Sequence, residues 1–280
     1  MITKIGWRFS TQSRSLVFAI LIALPGGGLP DGALAADQVG QAEVIENSVT
    51  GGDARRIAVA DPVFAAEQIS ADAQSHGELK LNDESLVIVG ENSSVSLDDF
   101  VIEGNGFQSA TLKVVKGAFR FITGNSPKNA FKIETPLSTI GVRGTVFDVY
   151  VDDGSGATRV VLLHGAVRVC TLGSACIVAD RICDIVEVKS PDSIEKAGFL
   201  RGAGRSRAQE RSQFSLTEQQ NRFQKRFRAA TATCAARAAQ EATEGRSNRN
   251  KTGNASGDYS VPSISIDPNS PPSSSPTTPQ

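Results

Sequence analysis

Residues that commonly carry enzymatic chemistry are scarce in this 280-residue chain. Histidine occurs only as His76 and His164, so a Ser-His-Asp or Cys-His mechanism has two candidate bases, and a zinc site rich in histidine cannot be built. We expect His164, which directly precedes a glycine at the start of a predicted strand, to be a surface or structural residue. The composition therefore predicts a protein that is not an enzyme and that holds no metal or other cofactor.

Two acidic motifs could still carry chemistry, and each has a simpler interpretation. The run from Asp152 to Gly156 resembles part of a calcium loop, but it lacks the alternating ligands and the distal glutamate, so it favours a hairpin turn. Asp98 and Asp99, with Glu103, could form the carboxylate pair of a glycoside hydrolase, yet adjacent residues of a strand point to opposite faces. A hydrolase is therefore the weakest functional hypothesis.

The N-terminus resembles an export signal. Lys4, Arg8 and Arg14 precede an apolar run from Leu16 to Leu24, which is too short to cross a bilayer as a helix. A small-x-small pattern ending at Ala35 would allow cleavage there. We therefore predict a signal peptide over the first 35 residues and a mature protein that is periplasmic or secreted, with a buried core helix as the alternative.

Formal charge is distributed unevenly, although the net charge is only −1. Residues 36–194 contain 13 basic and 22 acidic residues, whereas residues 195–250 contain 12 basic and 5 acidic ones. An acidic body followed by a basic segment predicts attraction between the two. Because the total charge is close to zero, no strong field favours nucleic acid, and no nucleic-acid partner is expected.

Four cysteines, Cys170, Cys176, Cys183 and Cys234, are expected to form disulfides, because an even count in an exported chain favours them. A zinc site is the alternative, but no C-x2-C pair is present. Cys170 and Cys176 flank a five-residue loop between two predicted strands. Their position predicts a bond across that hairpin, which leaves Cys183 for Cys234; a bond between Cys176 and Cys183 would contradict this pairing.

The segment 36–190 has the pattern of an all-β domain. Short apolar runs alternate with turn signals at intervals of about 8–12 residues, which predicts a sandwich or a short β-roll of solenoid type. Gly117, Gly144 and Gly165 each follow a long polar residue and precede an alternating run. A glycine in this position permits a positive φ or a close backbone approach. The similarity indicates either stacked turns of a β-roll or turn–strand junctions that merely resemble one another.

The composition changes after Pro191. Residues 191–214 are rich in glycine and arginine and predict a linker. A capping box begins at Ser215 and predicts a helix start. The following apolar residues recur at helical spacing, which predicts one amphipathic helix over 215–243; they are Leu216, Phe223, Phe227, Ala230, Cys234 and Ala238.

We expect this helix to dock on the β domain through its apolar stripe, stapled there by Cys234. The basic stretch 201–228 also contains phenylalanines, so contact with anionic lipid or nucleic acid is the alternative. Residues 244–280 are rich in serine, proline and asparagine and cannot bury a core, which predicts a disordered tail. No segment after the leader is apolar enough to predict a transmembrane helix.

One motif resembles a known family. A T-P…R-G-T-x-F-x-V strand followed by V-x-V-x-x-G-x-V-x-V resembles the FecR domain, the periplasmic module of iron-dicitrate regulators. The resemblance extends over residues 38–190, and Gram-negative bacteria are the expected source. The motif positions are Thr135, Pro136, Gly141, Arg143, Gly144, Thr145, Phe147 and Gly165.

The resemblance implies an all-β extracytoplasmic module that binds a protein or an envelope component. Anti-sigma members of the family carry a cytoplasmic segment and a transmembrane helix ahead of this domain, where this chain has the predicted leader. The sigma-binding activity is therefore not carried over. The motif residues are expected to be structural, and Arg143 is expected to be partly buried against loop carbonyls, with a ligand contact as the alternative.

The first functional hypothesis is a non-enzymatic exported module that binds a partner protein or envelope polymer, in signalling or surface assembly. A glycan- or peptidoglycan-binding module is the second, although Trp7, the only tryptophan, lies in the leader and cannot stack on a sugar. A regulator of envelope iron-uptake signalling that acts through a separate anti-sigma partner is a further alternative.

Overall fold

Strands dominate the computed structural model, which describes residues 36–201 and 206–253. The fold is mostly β, as predicted. The strands are β1 (Gln38–Glu46), β2 (Val49–Thr50), β3 (Pro62–Phe64), β4 (Glu67–Ala71), β5 (His76–Leu81), β6 (Leu86–Val89), β7 (Ser93–Glu103), β8 (Gly106–Ile122), β9 (Phe131–Glu134), β10 (Ser138–Val151), β11 (Thr158–Thr171), β12 (Cys176–Ala179), β13 (Asp184–Ser190) and β14 (Ser193–Phe199). The helices are α1 (Arg207–Gln213), α2 (Ser215–Glu218) and α3 (Ala232–Gly253), with short 3-10 turns at Gly52–Ala54, Gln220–Arg222 and Lys225–Phe227.

The strands form two layers that share three long strands. Layer A has the order β3-β1-β5-β6-β8-β10-β11-β13-β14. Layer B has the order β2-β4-β7-β8-β9-β10-β11-β12, in which only β8 and β9 are parallel. The first half of β8 lies in layer B and its second half in layer A, and β10 and β11 also pass between the layers.

The shared strands change partners at the three glycines singled out from the sequence. Gly117, Gly144 and Gly165 have φ values of 81°, 66° and 78°, as expected for glycine at a bend. A Cβ on Gly165 would lie 2.2 Å from the carbonyl oxygen of Gly144, so the two bends press together. Because β8, β10 and β11 are antiparallel neighbours, the glycine repeat marks bends in a sandwich and not stacked turns of a β-roll.

The main core lies between the two layers. Phe121 of layer A contacts Phe131 of layer B with ring centroids 4.7 Å apart, and Phe147 packs 5.9 Å from Phe121. All three phenylalanines are buried within one apolar cluster that draws side chains from nearly every strand. The alternation of the strands sends every second side chain into this core and the others to the outer faces.

The C-terminal third differs from its predicted boundaries. The predicted linker 191–214 contains β14, which pairs with β13, and α1. The single helix predicted over 215–243 is broken between α2 and α3, and α3 continues to Gly253. The chain is extended at Phe223, with φ −91° and ψ 152°. Backbone groups there bond to side chains of the sheet, which competes with helical hydrogen bonding.

Two further expectations lie outside the described residues. The predicted signal peptide covers residues 1–35, and the predicted tail continues from residue 254 to 280. Within residues 36–201 and 206–253, no helix combines the length and the apolar character that a membrane span requires.

Candidate functional site

Thr135 and Pro136 of the motif build the tight turn between β9 and β10. The backbone N–H and the side-chain Oγ1 of Thr135 both bond to Ser138, at 2.8 Å for the N–H···O contact and 2.8 Å between the hydroxyls. Thr158 at the start of β11 donates its hydroxyl to Thr135 Oγ1 at 2.8 Å. This end of the motif therefore joins three strands, and both the N–H and the hydroxyl of Thr135 are hydrogen-bonded.

Thr145 and Phe147 hold the bend of β10. The backbone N–H of Thr145 donates to Thr123 Oγ1 at 2.9 Å, and its carbonyl accepts from the Thr123 N–H at 3.0 Å. Phe147 is fully buried in the core between the layers. The strand thus bends at Gly144. The hydrogen bonds of Thr145 to Thr123 and the buried ring of Phe147 hold the part of the strand that follows.

The surroundings of Arg143 differ from those predicted from the sequence. Its side chain is exposed, and within the described residues it makes no hydrogen bond or ion pair, so the prediction of a partly buried arginine bound to loop carbonyls is wrong. The reason is the register of β10. Arg143 lies just before the bend, opposite Ala166, on the outer face of layer B. The alternation of the strand therefore turns it toward solvent.

The cysteines form the two pairs predicted from the sequence, Cys170–Cys176 and Cys183–Cys234. Cys170 and Cys176 are directly opposite each other on β11 and β12. Cys183 and Cys234 are both buried, and their bond joins the loop before β13 to α3. One bond therefore closes an edge of layer B, and the other attaches the C-terminal segment to layer A.

A buried polar row crosses the outer face of layer A. Arg120 on β8 is fully buried and forms a bidentate ion pair with Asp148 on β10. The Nε···Oδ1 distance is 2.5 Å and the Nη2···Oδ2 distance is 2.7 Å. The remaining nitrogen of Arg120 donates to Gln220 Oε1 at 2.9 Å and to the Phe227 carbonyl at 3.2 Å. Burial raises the pKa of Asp148, and the Arg120 guanidinium opposes that rise. Both partners of the ion pair are thus satisfied without water.

The residues over this row belong to the segment 206–238, which we call the covering segment. Leu216, Phe223 and Phe227 are buried and pack on an apolar patch of layer A. The patch consists of Leu86, Ile88, Ala118 and the half-buried Ile122. Cys234 joins a second cluster, which includes Phe214 from the covering segment and Val161, Leu163, Ile185, Phe199 and Leu200 beneath it.

Ion pairs add to this contact between a basic segment and an acidic sheet. Arg222 pairs with Glu46, Arg226 with Glu43, and Arg237 with Asp184 at 2.7 Å. The buried carboxylate of Glu78 accepts from the backbone N–H of Gln224 at 3.2 Å from each oxygen. In the described residues, the outer face of layer A is therefore occupied by the chain itself.

The outer face of layer B carries an open groove of about 690 Å³. A row of directly paired residues crosses it from Lys132 through Gly141 and Arg168 to Val178. Gly141 has no side chain, and a Cβ placed there would meet no atom closer than the Arg168 carbonyl at 3.9 Å. The groove is lined by Lys128, Asn129, Phe131, Lys132, Gly141, Val142, Arg143, Ala166, Val167, Arg168 and Val178.

The groove gathers cations that have no anionic partner in the described part of the chain. In residues 36–201, ten lysines and arginines have a carboxylate oxygen within 4.0 Å among the described residues. Five have none, namely Arg56, Lys128, Arg143, Arg168 and Arg181. Three of these five line the groove. The fourth groove cation, Lys132, binds Glu134 at 2.7 Å. In a body with an excess of acids, this concentration of unpaired cations is a local feature of the groove.

Residues 67–168 match the family model described as FecR protein. As the sequence predicted, residues 67–168 resemble the FecR domain. The matched range runs from β4 to Arg168, so it includes the whole motif and all four groove cations. The covering segment and both cysteines of its disulfide lie outside the matched range.

No curated protein matches this chain. Two crystal structures, at 1.65 and 2.50 Å resolution, of a candidate anti-sigma factor from Parabacteroides distasonis ATCC 8503 are similar to it, at 17% identity and a TM-score of 0.38. The similarity covers 47% of this chain and 59% of each of those chains. This chain therefore spans less than two thirds of the length of those proteins.

The structure shows the surroundings of several residues that could have carried chemistry. His164 is exposed, as expected. Asp98 binds Lys113 at 2.7 Å. Asp152 accepts from the N–H and hydroxyl of Ser155 at 2.9 and 2.7 Å, and these hydrogen bonds lower its pKa. Among the described residues, no cluster of three or more histidine, cysteine, aspartate or glutamate side chains has the arrangement of a metal site.

Sequence reasoning missed the buried pair and most of the groove. The signal for the pair was a charge inside each of two apolar alternations, at Arg120 between phenylalanines and at Asp148 between Phe147 and a valine. The groove had no comparable signal, because Lys128 lies in the loop before β9, Lys132 in β9 and Arg168 in β11.

Proposed function

We propose that this chain is a non-enzymatic, extracytoplasmic FecR-domain protein that binds a partner protein in envelope signalling. The observation that carries the proposal is the groove of unpaired cations on layer B, inside the matched domain. Neither histidine, cysteine nor a carboxylate is among its lining residues, so its chemistry suits binding. Both disulfides support a site outside the cytoplasm, where such bonds persist.

The exposed charge of the groove favours a partner on this face. Exposed cations without internal partners keep their hydrogen-bonding capacity for another molecule. The covering segment occupies layer A, whereas the groove on layer B is open to solvent. Glycan binding is less well supported, because the one aromatic lining residue, Phe131, is buried in the core and offers no ring for stacking.

The proposed function is partner binding in envelope signalling, and regulation of iron uptake through a separate anti-sigma protein remains the alternative role. Partner binding is tested by capturing proteins from an envelope extract on the immobilised full chain and identifying them by mass spectrometry. We expect specific enrichment of a signalling protein by the native chain. The Arg143→Glu/Arg168→Glu double variant should lose it, whereas Arg56→Glu, an exposed cation outside the groove, should retain it. Capture of no specific protein by the native chain would contradict the proposal.

A further inference from the structure

We infer that the groove on layer B binds an extended acidic segment of the partner, an inference that rests on the proposed function and specifies its partner chemistry. The groove combines three features of such a site. It holds three cations that have no anionic partner among residues 36–201 and 206–253, it has a gap at a glycine between two of its basic side chains, and it lies on a sheet face that the covering segment leaves open.

The spacing of the row suits an extended peptide. Lys132, Gly141 and Arg168 lie on three adjacent strands, and neighbouring strands are about 4.8 Å apart, so the two basic residues are separated by roughly 10 Å across the glycine. In an extended chain, side chains on the same face recur about every 6.8 Å. Two carboxylates on one face can therefore reach the flexible cations on either side of Gly141.

The donor chemistry favours carboxylates. Arg143 and Arg168 each present a planar guanidinium whose paired N–H groups match the two oxygens of a carboxylate. Lys128 adds a mobile point charge at the rim. Two of these cations have no hydrogen-bond partner in the described residues, and Arg168 has only a 3.6 Å contact with Cys176 Sγ. An acidic segment would bind them without breaking a strong internal bond.

The shape favours a peptide over a lipid surface. The floor at Gly141 lies at the level of the backbone, while its cross-strand neighbours Lys132 and Arg168 project long side chains on both sides. A layer of lipid headgroups is flat on this scale and would contact the projecting cations without filling the floor. A single extended chain can occupy the floor and bring its carboxylates to the walls.

The test measures fluorescence anisotropy of a labelled ten-residue peptide with glutamate at every second position, titrated with the purified full chain. A peptide with glutamine at the same positions and vesicles containing phosphatidylglycerol are the comparison probes. We expect the glutamate peptide to bind at least about tenfold more tightly than the glutamine peptide, with an affinity that falls as salt is added.

Two variants change the groove in independent ways. Arg143→Glu with Arg168→Glu reverses its charge, and Gly141→Leu fills its floor without changing any charge. Gly141 is not in the left-handed region and has open space above it, so the sheet can accept the leucine. Each variant should weaken glutamate-peptide binding by about tenfold or more, whereas the matched control Arg56→Glu should change it by less than about twofold. Thermal unfolding of each variant verifies that the fold is retained.

The inference is overturned if both peptides bind alike, if Arg56→Glu weakens binding as much as the groove variants, or if groove-dependent binding occurs only with the vesicles. Its failure is distinct from failure of the proposed function. If a captured envelope protein still binds both groove variants, the groove is not the binding site, and the inference is overturned. The proposed partner-binding function then remains intact. Groove-specific peptide binding without any captured partner supports the groove and contradicts the proposed function.

Discussion

Two arginines at equivalent positions of a local repeat have opposite environments. Arg120 follows Gly117 by three residues and Arg168 follows Gly165 by three, in the similar stretches Lys116–Phe121 and His164–Val169. Arg120 is fully buried on the outer face of layer A, and each of its three side-chain nitrogens donates at least one hydrogen bond. Arg168 is exposed on the outer face of layer B and has no carboxylate partner among the described residues. Similar local sequence therefore produces a structural charge on one face and an available charge on the other.

The covering segment creates this difference. It supplies the apolar surface that removes Arg120 from water and the carbonyl and amide oxygens that complete its hydrogen bonds. A buried charge is tolerated only when it is paired in this way. Layer B has no such cover in the described part of the chain, and its charges stay in solvent at little cost.

The largest expected effect is loss of the buried pair. Asp148→Ala should lower the free energy of unfolding by about 3–5 kcal/mol, because Arg120 would remain buried without its anion. Arg168→Ala on the open face should change it by less than about 0.5 kcal/mol. Urea denaturation of both variants measures the contrast. Equal effects would show that the two faces do not differ as described.

Loss of the Cys183–Cys234 disulfide should have the next largest effect. Replacing Cys183 and Cys234 by serine should cost about 4 kcal/mol, because their bond closes a loop with a sequence separation of 51, whereas replacing Cys170 and Cys176, with a separation of 6, should cost about 2 kcal/mol. Thermal and urea unfolding of the two double variants under oxidising conditions provides the comparison. A larger loss from the hairpin pair would contradict the role given to the covering segment.

Packing of the covering segment should have a somewhat smaller effect. Phe227→Ala removes a fully buried ring from the patch over layer A and should destabilise the protein by about 3 kcal/mol. Val178→Ala, at a side chain that is 49% exposed in the groove, is the matched change on layer B and should cost less than about 1 kcal/mol. Chemical denaturation measures both, and similar losses would argue against a covered and an open face.

Asp152, in the hairpin between β10 and β11, is an exposed reference carboxylate. The change at its partner Ser155 has the smallest expected effect of the four. Hydrogen bonds from Ser155 lower the pKa of Asp152, so the folded state binds its proton less readily than the unfolded state. Its contribution to stability is present above the unfolded pKa and is lost as the pH falls through the folded pKa. Ser155→Ala should raise the Asp152 pKa toward its ordinary value. An NMR titration that shows no rise would contradict this assignment.

Sequence reasoning succeeded where the cause of a feature was local. The period of two in apolar residues predicted strands, and the glycines at 117, 144 and 165 were predicted to permit a positive φ or a close backbone approach, because both features depend on neighbouring residues alone. It failed for the helix over 215–243, because bonds from Glu78 and Arg120 to the backbone near Phe223 and Phe227 compete with helical hydrogen bonds. Those partners are more than 100 residues away in the chain and were not visible as a local pattern.

The amino-acid sequence by itself determined the β class, the glycine positions at which the backbone can bend and the cysteine pairs, since alternation, glycine conformation and loop length are properties of short segments. Only the tertiary structure decided which arginine is buried and which is available, and that Lys128, Lys132, Arg143 and Arg168 share one groove. The physical reason is that burial and charge pairing depend on what lies across a face, and strands distant in sequence, together with the covering segment, establish that.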